Sequence, residues 1–322
     1  YKRYIHFHQI SHQIYLPGGS WESLEQGRGF IRLMKNWQHD VIQILESHEI
    51  NDRELAIVSA LLVGYKHYLS ADQVNAFASA GAIHVLAVSG LHVGIIFLII
   101  NSLLSPLLRI RHGRVARGIL LFVALWGYAA ITGMSPSVTR AAAMFSFVIG
   151  AQLFDRHTDI FNTLVTSASA LLLYNPFLIV EVGFQLSYLA VIGIVLIQPT
   201  LQRLWEPKWW LLEKIWGITT VSIAAQVATF PLGLLYFHQF PNYFLLSNLV
   251  VIPLATLILP VGISLVVFHA VPIVNSLLGQ LLYALVHFLD LFISWVEKLP
   301  AALIQGIDVS IFETYFIYLI VV

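Results

Sequence analysis

The sequence predicts an all-α, multi-pass membrane protein with roughly eight transmembrane helices, further re-entrant or interfacial helices and a small soluble N-terminal segment. Of its 322 residues, 58% are hydrophobic and only 11% are charged, whereas soluble domains carry about 25% charged residues. So few charges cannot coat a water-facing surface, and lipid must therefore cover most of it. Two further observations support the prediction. Long apolar blocks follow one another along the chain, and basic residues are confined to alternate loops.

The apolar blocks predict the transmembrane helices, and a fragment that begins at residue 314 predicts the start of another. Short connectors that contain Pro136 and Pro176 indicate tight antiparallel hairpins. Because the last run is about half of the roughly 20 residues that a span needs, we expect the protein to continue beyond this sequence. The predicted spans are 91–108, 119–135, 137–154, 160–174, 177–198, 217–237, 244–268 and 274–299.

Residues 29–80 are predicted to form amphipathic or interfacial helices. Large apolar residues recur at helical spacing across 30–45, opposite a basic face. Such a helix, with Trp37 on its apolar side, suits the membrane interface, although packing against a small soluble domain is an equal alternative. Ser70 and Gln73 form a capping-box pattern that predicts the start of a further helix.

The basic residues predict the orientation of the spans. They follow the first, third and fifth predicted spans, whereas the loops near 135, 175 and 240 carry almost none. Positive charge marks the cytoplasmic side, so we expect residues 1–56 on the outer side. The residues concerned are Arg109, Arg111, Arg114, Arg117, Arg156, Arg203, Lys208 and Lys214.

Polar residues inside the predicted spans are the first candidates for a functional site. An ionisable residue there costs about 2.5–3.5 kcal/mol on insertion scales, so it usually faces a cavity or a partner. Arg140 and Glu181 lie one turn inside their spans on the outer side, where they either pair or face a polar path. His287 and Asp290 are close enough along one helix to bond each other. The amide candidates are Gln152, Asn162, Gln185, Gln226 and Asn248.

A polar, glycine-containing stretch opens the first predicted span. Gly90 and Gly94 permit close helix packing. Ser89 and His92 have the spacing of residues on one helical face, and His84 lies roughly two turns earlier. Metal binding, packing and substrate contact are all open for the two histidines. The absence of a carboxylate nearby in sequence favours packing.

Several of these motifs together resemble the ComEC competence-protein family. The two specific matches are 84–94, which looks like the family signature, and 183–191, which contains Gln185 and Ser187. Weaker matches follow the same chain order at 61–64, 140–144, 175–176, 231–232, 248 and 252–254. The resemblance implies that residues 1–28 end an outer OB-type domain. It also implies that residues 81–322 form a transmembrane channel domain that is truncated at its C-terminus.

The resemblance implies a channel in the bacterial inner membrane that carries single-stranded DNA into the cytoplasm during natural transformation. Its implied partners are membrane lipid, periplasmic DNA-binding and uptake proteins, and a cytoplasmic ATPase motor. The sequence contains no phosphate-binding loop of its own. The residues assigned to the substrate path or its structural motif are His84, Ser89, Gly90, His92, Gly94, Arg140, Glu181, Gln185, Ser187 and Asn248.

No cofactor, metal ligand or catalytic residue is assigned, and this portion is not predicted to be an enzyme. Many family members carry a metallo-β-lactamase-like nuclease domain, whose H-x-H-x-D motif is absent here; residues 6–8 come nearest to it. One alternative is a secondary transporter for a small solute, which should show inverted repeats. Another is an intramembrane hydrolase with Ser89 as nucleophile and His92 or His84 as base, which needs a local helix break.

Overall fold

A computed structural model describes residues 29–48, 50–154 and 159–321, and the described part is almost entirely helical. The helices are α1 (Phe30–Glu46), α2 (Asp52–Val63), α3 (Ala71–Ser79), α4 (Ile83–Leu86), α5 (Gly90–Leu103), α6 (Gly113–Ile131), α7 (Pro136–Leu153), α8 (Ile160–Tyr174), α9 (Val182–Gln202), α10 (Trp210–Phe237), α11 (Phe244–Val267), α12 (Pro272–Glu297) and α13 (Ile311–Val321). Short 3₁₀ helices occupy Ser105–Arg109 and Pro176–Val180. Strands β1 (Gln239–Pro241) and β2 (Leu303–Gln305) pair antiparallel, with Phe240 opposite Ile304. The all-α prediction is confirmed.

Every predicted apolar block contains a helix, and the chain is a multi-pass membrane protein. In the part of the chain that the structure describes, five helices are long and apolar enough to cross a membrane, namely α6, α9, α10, α11 and α12. Helices α5, α8 and α13 are apolar but shorter. The predicted count of eight spans therefore stays a prediction.

Helices α1 to α3 pack against the helical bundle. Met34, Ile42 and Leu45 of α1 are buried, whereas Trp37 is 49% exposed. The capping box at Ser70 is confirmed, because its hydroxyl accepts the backbone N–H of residue 73. The interfacial position of α1 remains a prediction. The predictions for residues 1–28 and for Arg156 lie outside the described residues.

Helices α5, α7 and α11 begin at the same end of the bundle. The Ser137 hydroxyl donates to the carbonyl of Val88 at 2.6 Å, which joins the start of α7 to the segment that precedes α5. A Cβ at Gly81 would lie 2.9 Å from the Cβ of Phe244, so the start of α11 adjoins the turn before α4. This arrangement agrees with the orientation that the basic loops predict.

The apolar interior has two parts. The larger core joins side chains from α1 to α7 with α11 and α12. The smaller one lies between α8 and α9 and is built from Leu164, Phe184 and Tyr188. Helices α9 and α10 approach closely, since a Cβ at Gly193 would lie 2.3 Å from the Cβ of Ala228.

Candidate functional site

The segment between α4 and α5 is a break in the helix that brings Ser89 and His92 together. Ser89 has extended backbone angles and precedes the first residue of α5. The His92 Nδ1 atom lies 3.2 Å from the Ser89 backbone nitrogen and 2.8 Å from its hydroxyl oxygen. The predicted proximity is therefore present, but the sequence interpretation of one helical face is wrong. The two residues instead meet around a helix start.

This contact fixes the tautomer of His92. A backbone N–H can only donate, so Nδ1 is an acceptor and the ring proton lies on Nε2. His92 is 1% exposed, and its Nε2 atom has no hydrogen-bond partner. His84, by contrast, is exposed on α4. Within the described residues, no group of three metal-ligating side chains is close enough to hold an ion.

Gly90 and Gly94 lie on the side of α5 that adjoins α7, and their role in close packing stays a prediction. A Cβ at Gly90 would lie 3.8 Å from the Cβ of Ala141, and one at Gly94 would lie 3.5 Å from the ring of Phe145. Both contacts advance by one helical turn in the same direction, so α5 and α7 run parallel. The two glycines thus place the polar start of α5 directly beside Arg140.

Arg140 is a buried guanidinium without direct bonds. It is 5% exposed, and its Nε and Nη1 atoms have no hydrogen-bond partner. The group faces α9, since a Cβ at Gly183 would lie 3.9 Å from both Nη atoms. Glu181 influences Arg140 electrostatically, but among the described residues no direct ion pair joins them. The direct pair that the sequence left open is not formed.

Of the other predicted residues, Gln185 forms two side-chain hydrogen bonds, whereas Asn248 has a side-chain oxygen with no partner among the described residues. The Gln185 amide donates to the carbonyl of Ile179 at 2.8 Å and accepts from the Tyr236 hydroxyl at 3.0 Å, which ties α9 to α10. Ser187 is half-buried on α9. Asn248 is 9% exposed on α11, and its Oδ1 atom has no partner.

Sequence reasoning missed a row of interactions between α2 and α12. Arg53 Nε lies 2.6 Å from Asp290 Oδ2, and His287 Nδ1 lies 2.7 Å from Glu54 Oε1. The sequence allowed a bond between His287 and Asp290, but each of them contacts a residue of α2 instead. We call these four residues the paired seam. The sequence signals for it were a charged run at 52–54 directly before an apolar segment, and the ionisable residues His287 and Asp290 inside a predicted span.

Among the described residues, five polar side chains with buried nitrogen or oxygen atoms at the starts of α5, α7 and α11 differ from that seam. Each holds at least one side-chain nitrogen or oxygen atom with no hydrogen-bond partner. They are His92, Ser135, Arg140, Ser247 and Asn248, and we call them the unpaired polar set. Further such atoms are scattered elsewhere, on Glu54, Ser59, Arg117, Ser222 and Asn275.

Comparison with known proteins finds a family and several relatives. The family described as Competence protein matches residues 61–322. ComE operon protein 3 of Bacillus subtilis (strain 168) is 32% identical over 244 residues, which cover 76% of this chain and 29% of that protein. An uncharacterized protein of Aquifex aeolicus (strain VF5) is 34% identical over 152 residues, covering 46% of this chain and 35% of that protein.

A third relative, the uncharacterized protein YcaI of Escherichia coli (strain K12), is 25% identical over 228 residues, covering 66% of this chain and 29% of that protein. The chain thus spans about a third of the length of these curated relatives. No solved structure gives a significant match.

Proposed function

Because the chain belongs to the Competence protein family, we propose that it forms part of an inner-membrane channel for single-stranded DNA. The strand enters from the outer side, where we place residues 1–56, and leaves into the cytoplasm during natural transformation. The relative named ComE operon protein 3 supports the link to competence. The unpaired polar set is the structural observation that carries the proposal.

A dry bundle does not account for the unpaired polar set. A buried polar group without a partner costs about 1–3 kcal/mol, and a charged one costs more. Three packed helices carry such groups at their starts, at one end of the bundle. Water or a passing phosphodiester would supply the missing partners. We therefore place the entrance of a hydrated path at this end.

The same helix starts favour a polyanion. Helix N-termini carry partial positive charge from aligned peptide dipoles and leave backbone N–H groups free. Three of them accompany the guanidinium of Arg140 at this entrance. Weak, distributed attraction of this kind lets a strand bind without holding it in place.

The energy for transport must come from elsewhere. With the cytoplasm negative, each phosphate that moves inward costs about 2.3 kcal/mol per 100 mV. The sequence has no phosphate-binding loop that could couple ATP hydrolysis to this work. We propose a cytoplasmic ATPase as the motor and periplasmic DNA-binding proteins as the source of the strand.

The contact between Ser89 and His92 bears on the hydrolase alternative. The helix break that this alternative requires is present. However, the backbone N–H of Ser89 donates to the same Nδ1 atom that its hydroxyl contacts. Because Nδ1 already accepts a hydrogen bond from the backbone, it is a poor base for removing the hydroxyl proton. The geometry therefore favours a helix cap over a nucleophile and base.

Single-cysteine labelling tests whether the path is hydrated. The 322 residues contain no cysteine, so an introduced thiol is the only one in this sequence that the reagent can modify. Ser247→Cys places a thiol in the unpaired polar set, and Leu257→Cys, at a position that is 53% exposed on the same helix, is the lipid-facing control. We expect a charged, membrane-impermeant thiol reagent to modify residue 247 and not residue 257. Protection of residue 247 in folded protein would contradict the hydrated path.

Deletion of the whole gene in a transformable host tests the function itself. We expect surface binding of labelled DNA to persist and internalised, nuclease-resistant DNA to disappear. Normal internalisation in the deletion strain would overturn the channel proposal. The same strain, complemented with the wild-type gene, is the control.

A further inference from the structure

We propose that Arg140 binds a single phosphodiester group of the translocating strand, and that this contact reads backbone charge without reading base sequence. The inference rests on the proposed function and assigns a substrate contact within it. It concerns the side of Arg140 that faces α9, where the guanidinium adjoins Gly183.

The guanidinium has the donors that a phosphate needs, and two of its nitrogens have no hydrogen-bond partner among the described residues. Arginine presents N–H donors in a planar fork that matches two phosphate oxygens. In Arg140, Nε and Nη1 are both buried and both without a hydrogen-bond partner. The side chain is 95% enclosed, since only 5% of it is exposed. A charge with free donors in such surroundings needs an anion or water.

Gly183 provides the approach to these donors. It is the residue of α9 that lies against the guanidinium, and it is itself exposed. A Cβ at this position would lie 3.9 Å from Nη1 and Nη2, so only a residue without a side chain separates the charge from the surface of α9. An oxygen of a passing phosphodiester can reach the fork there after a small rearrangement.

The two aromatic residues of α9 next to Gly183 offer little to a base edge. Tyr188 is buried, and its hydroxyl lies 3.0 Å from the hydroxyl of Ser167, which occupies its polar atom. Phe184 packs on Tyr188 with ring centroids 4.6 Å apart and offers only apolar surface. The low exposure of Arg140 itself strengthens its attraction for an anion. Discrimination among bases is therefore not expected at this site.

Glu181 is the group that opposes the proposal. Its carboxylate acts on Arg140 electrostatically, although the two side chains form no direct ion pair in the described part of the chain. The negative charge of Glu181 lowers the affinity of the guanidinium for an anion, but the carboxylate does not bind the N–H donors directly. Removing its charge should therefore strengthen phosphate binding, whereas a structural partner of Arg140 would behave in the opposite way.

Oligonucleotide binding by the full-length protein in nanodiscs tests the contact. The probe is fluorescein-labelled oligothymidylate, measured by fluorescence anisotropy. We expect Arg140→Gln to weaken binding by about tenfold, as for one charge-assisted contact. The slope of log affinity against log salt concentration should fall by about 0.7, as for one phosphate on a single strand. Arg140→Lys should keep part of the affinity, and Glu181→Gln should raise it.

A methylphosphonate oligothymidylate, which has a neutral backbone, is the matched control ligand. Its binding should not change between wild type and Arg140→Gln. The inference is overturned if Arg140→Gln leaves oligothymidylate affinity and salt slope unchanged. It is also overturned if that variant loses thermal stability that Glu181→Gln restores, because the two residues would then be a structural pair.

These outcomes are separate from failure of the proposed function. If wild-type cells import DNA normally and Arg140→Gln cells do so equally well, only the assignment of Arg140 fails. If deletion of the gene leaves import unchanged, the channel proposal fails first.

Discussion

The paired seam and the unpaired polar set both bring ionisable or polar side chains into the helical bundle, but they satisfy them differently. In the seam, the carboxylates of Asp290 and Glu54 each have a basic partner from the facing helix. In the unpaired polar set, Arg140 and His92 are more deeply enclosed than Arg53 and yet have nitrogen atoms with no partner. Burial alone therefore does not separate structural polar groups from functional ones.

The difference indicates what each region does. Polar groups in an apolar environment persist when they bond each other or when something else binds them. The seam follows the first course and fastens the short helix α2 to α12. For the unpaired polar set, which lies where three helices start together, we propose the second. The contrast is one of degree, because the Oε2 atom of Glu54 in the seam also has no hydrogen-bond partner among the described residues.

The largest expected effect on stability belongs to the seam. Arg53→Ala leaves Asp290, whose side chain is 9% exposed, without its cation. Breaking a fully buried pair costs about 3–5 kcal/mol, but Arg53 is half-exposed, so we expect about 1–2 kcal/mol. Thermal denaturation of the purified protein in detergent should show a lower midpoint.

A double variant sharpens this prediction. Arg53→Ala combined with Asp290→Asn removes the stranded charge, so its midpoint should recover toward that of the wild type. Additive losses in the double variant would show that the two groups do not interact. The seam would then be no more structural than the unpaired polar set.

The sequence predicted the helices well because their signal is local. Apolar runs located a helix in each predicted block, and the capping box at Ser70 marked the start of α3. Boundaries moved where local chemistry intervened. Helix α9 begins at Val182 rather than at 177, because Pro176 opens a separate 3₁₀ helix.

The candidate site was only partly predictable, because its decisive contacts are distant in sequence. The spacing of His287 and Asp290 allowed them to bond each other, yet their partners are Glu54 and Arg53, more than 200 residues away. No local pattern encodes such a pairing. Arg140 was identified from its charge at membrane depth, whereas its lack of a direct partner emerges only from the packed structure.

In the unpaired polar set we expect the opposite result for Asn248, with little change in thermal stability and a moderate loss of DNA import. Asn248→Leu replaces a buried amide, whose Oδ1 atom is unbonded, with an apolar side chain of similar size. We expect thermal stability to be unchanged or slightly higher, since no bond to Oδ1 is lost. DNA import should nevertheless fall by about fivefold, as for loss of a contact worth about 1 kcal/mol.

Parallel measurement of both properties checks this. Thermal midpoints are compared in detergent, and internalised labelled DNA is counted in cells that express equal amounts of each variant. A loss of stability comparable with that of Arg53→Ala would place Asn248 among the structural residues. Leu257→Ala on the same helix is the control for general effects on α11.

The smallest effect is expected for Ser89→Ala, and it separates a helix cap from a nucleophile. The substitution removes the hydroxyl contact to His92 Nδ1 but keeps the backbone N–H that donates to the same atom. Loss of an N-cap side chain typically costs about 0.5–2 kcal/mol, and we expect the lower end because one of two bonds to the imidazole remains. DNA import should accordingly stay near the wild-type level, whereas an enzyme that depends on this serine would lose its activity outright.

His92→Ala is the comparison variant, because it removes both bonds and also the unpaired Nε2 donor. That variant should lose more stability and more import than Ser89→Ala. Equal and complete loss in both variants would instead support a catalytic pair.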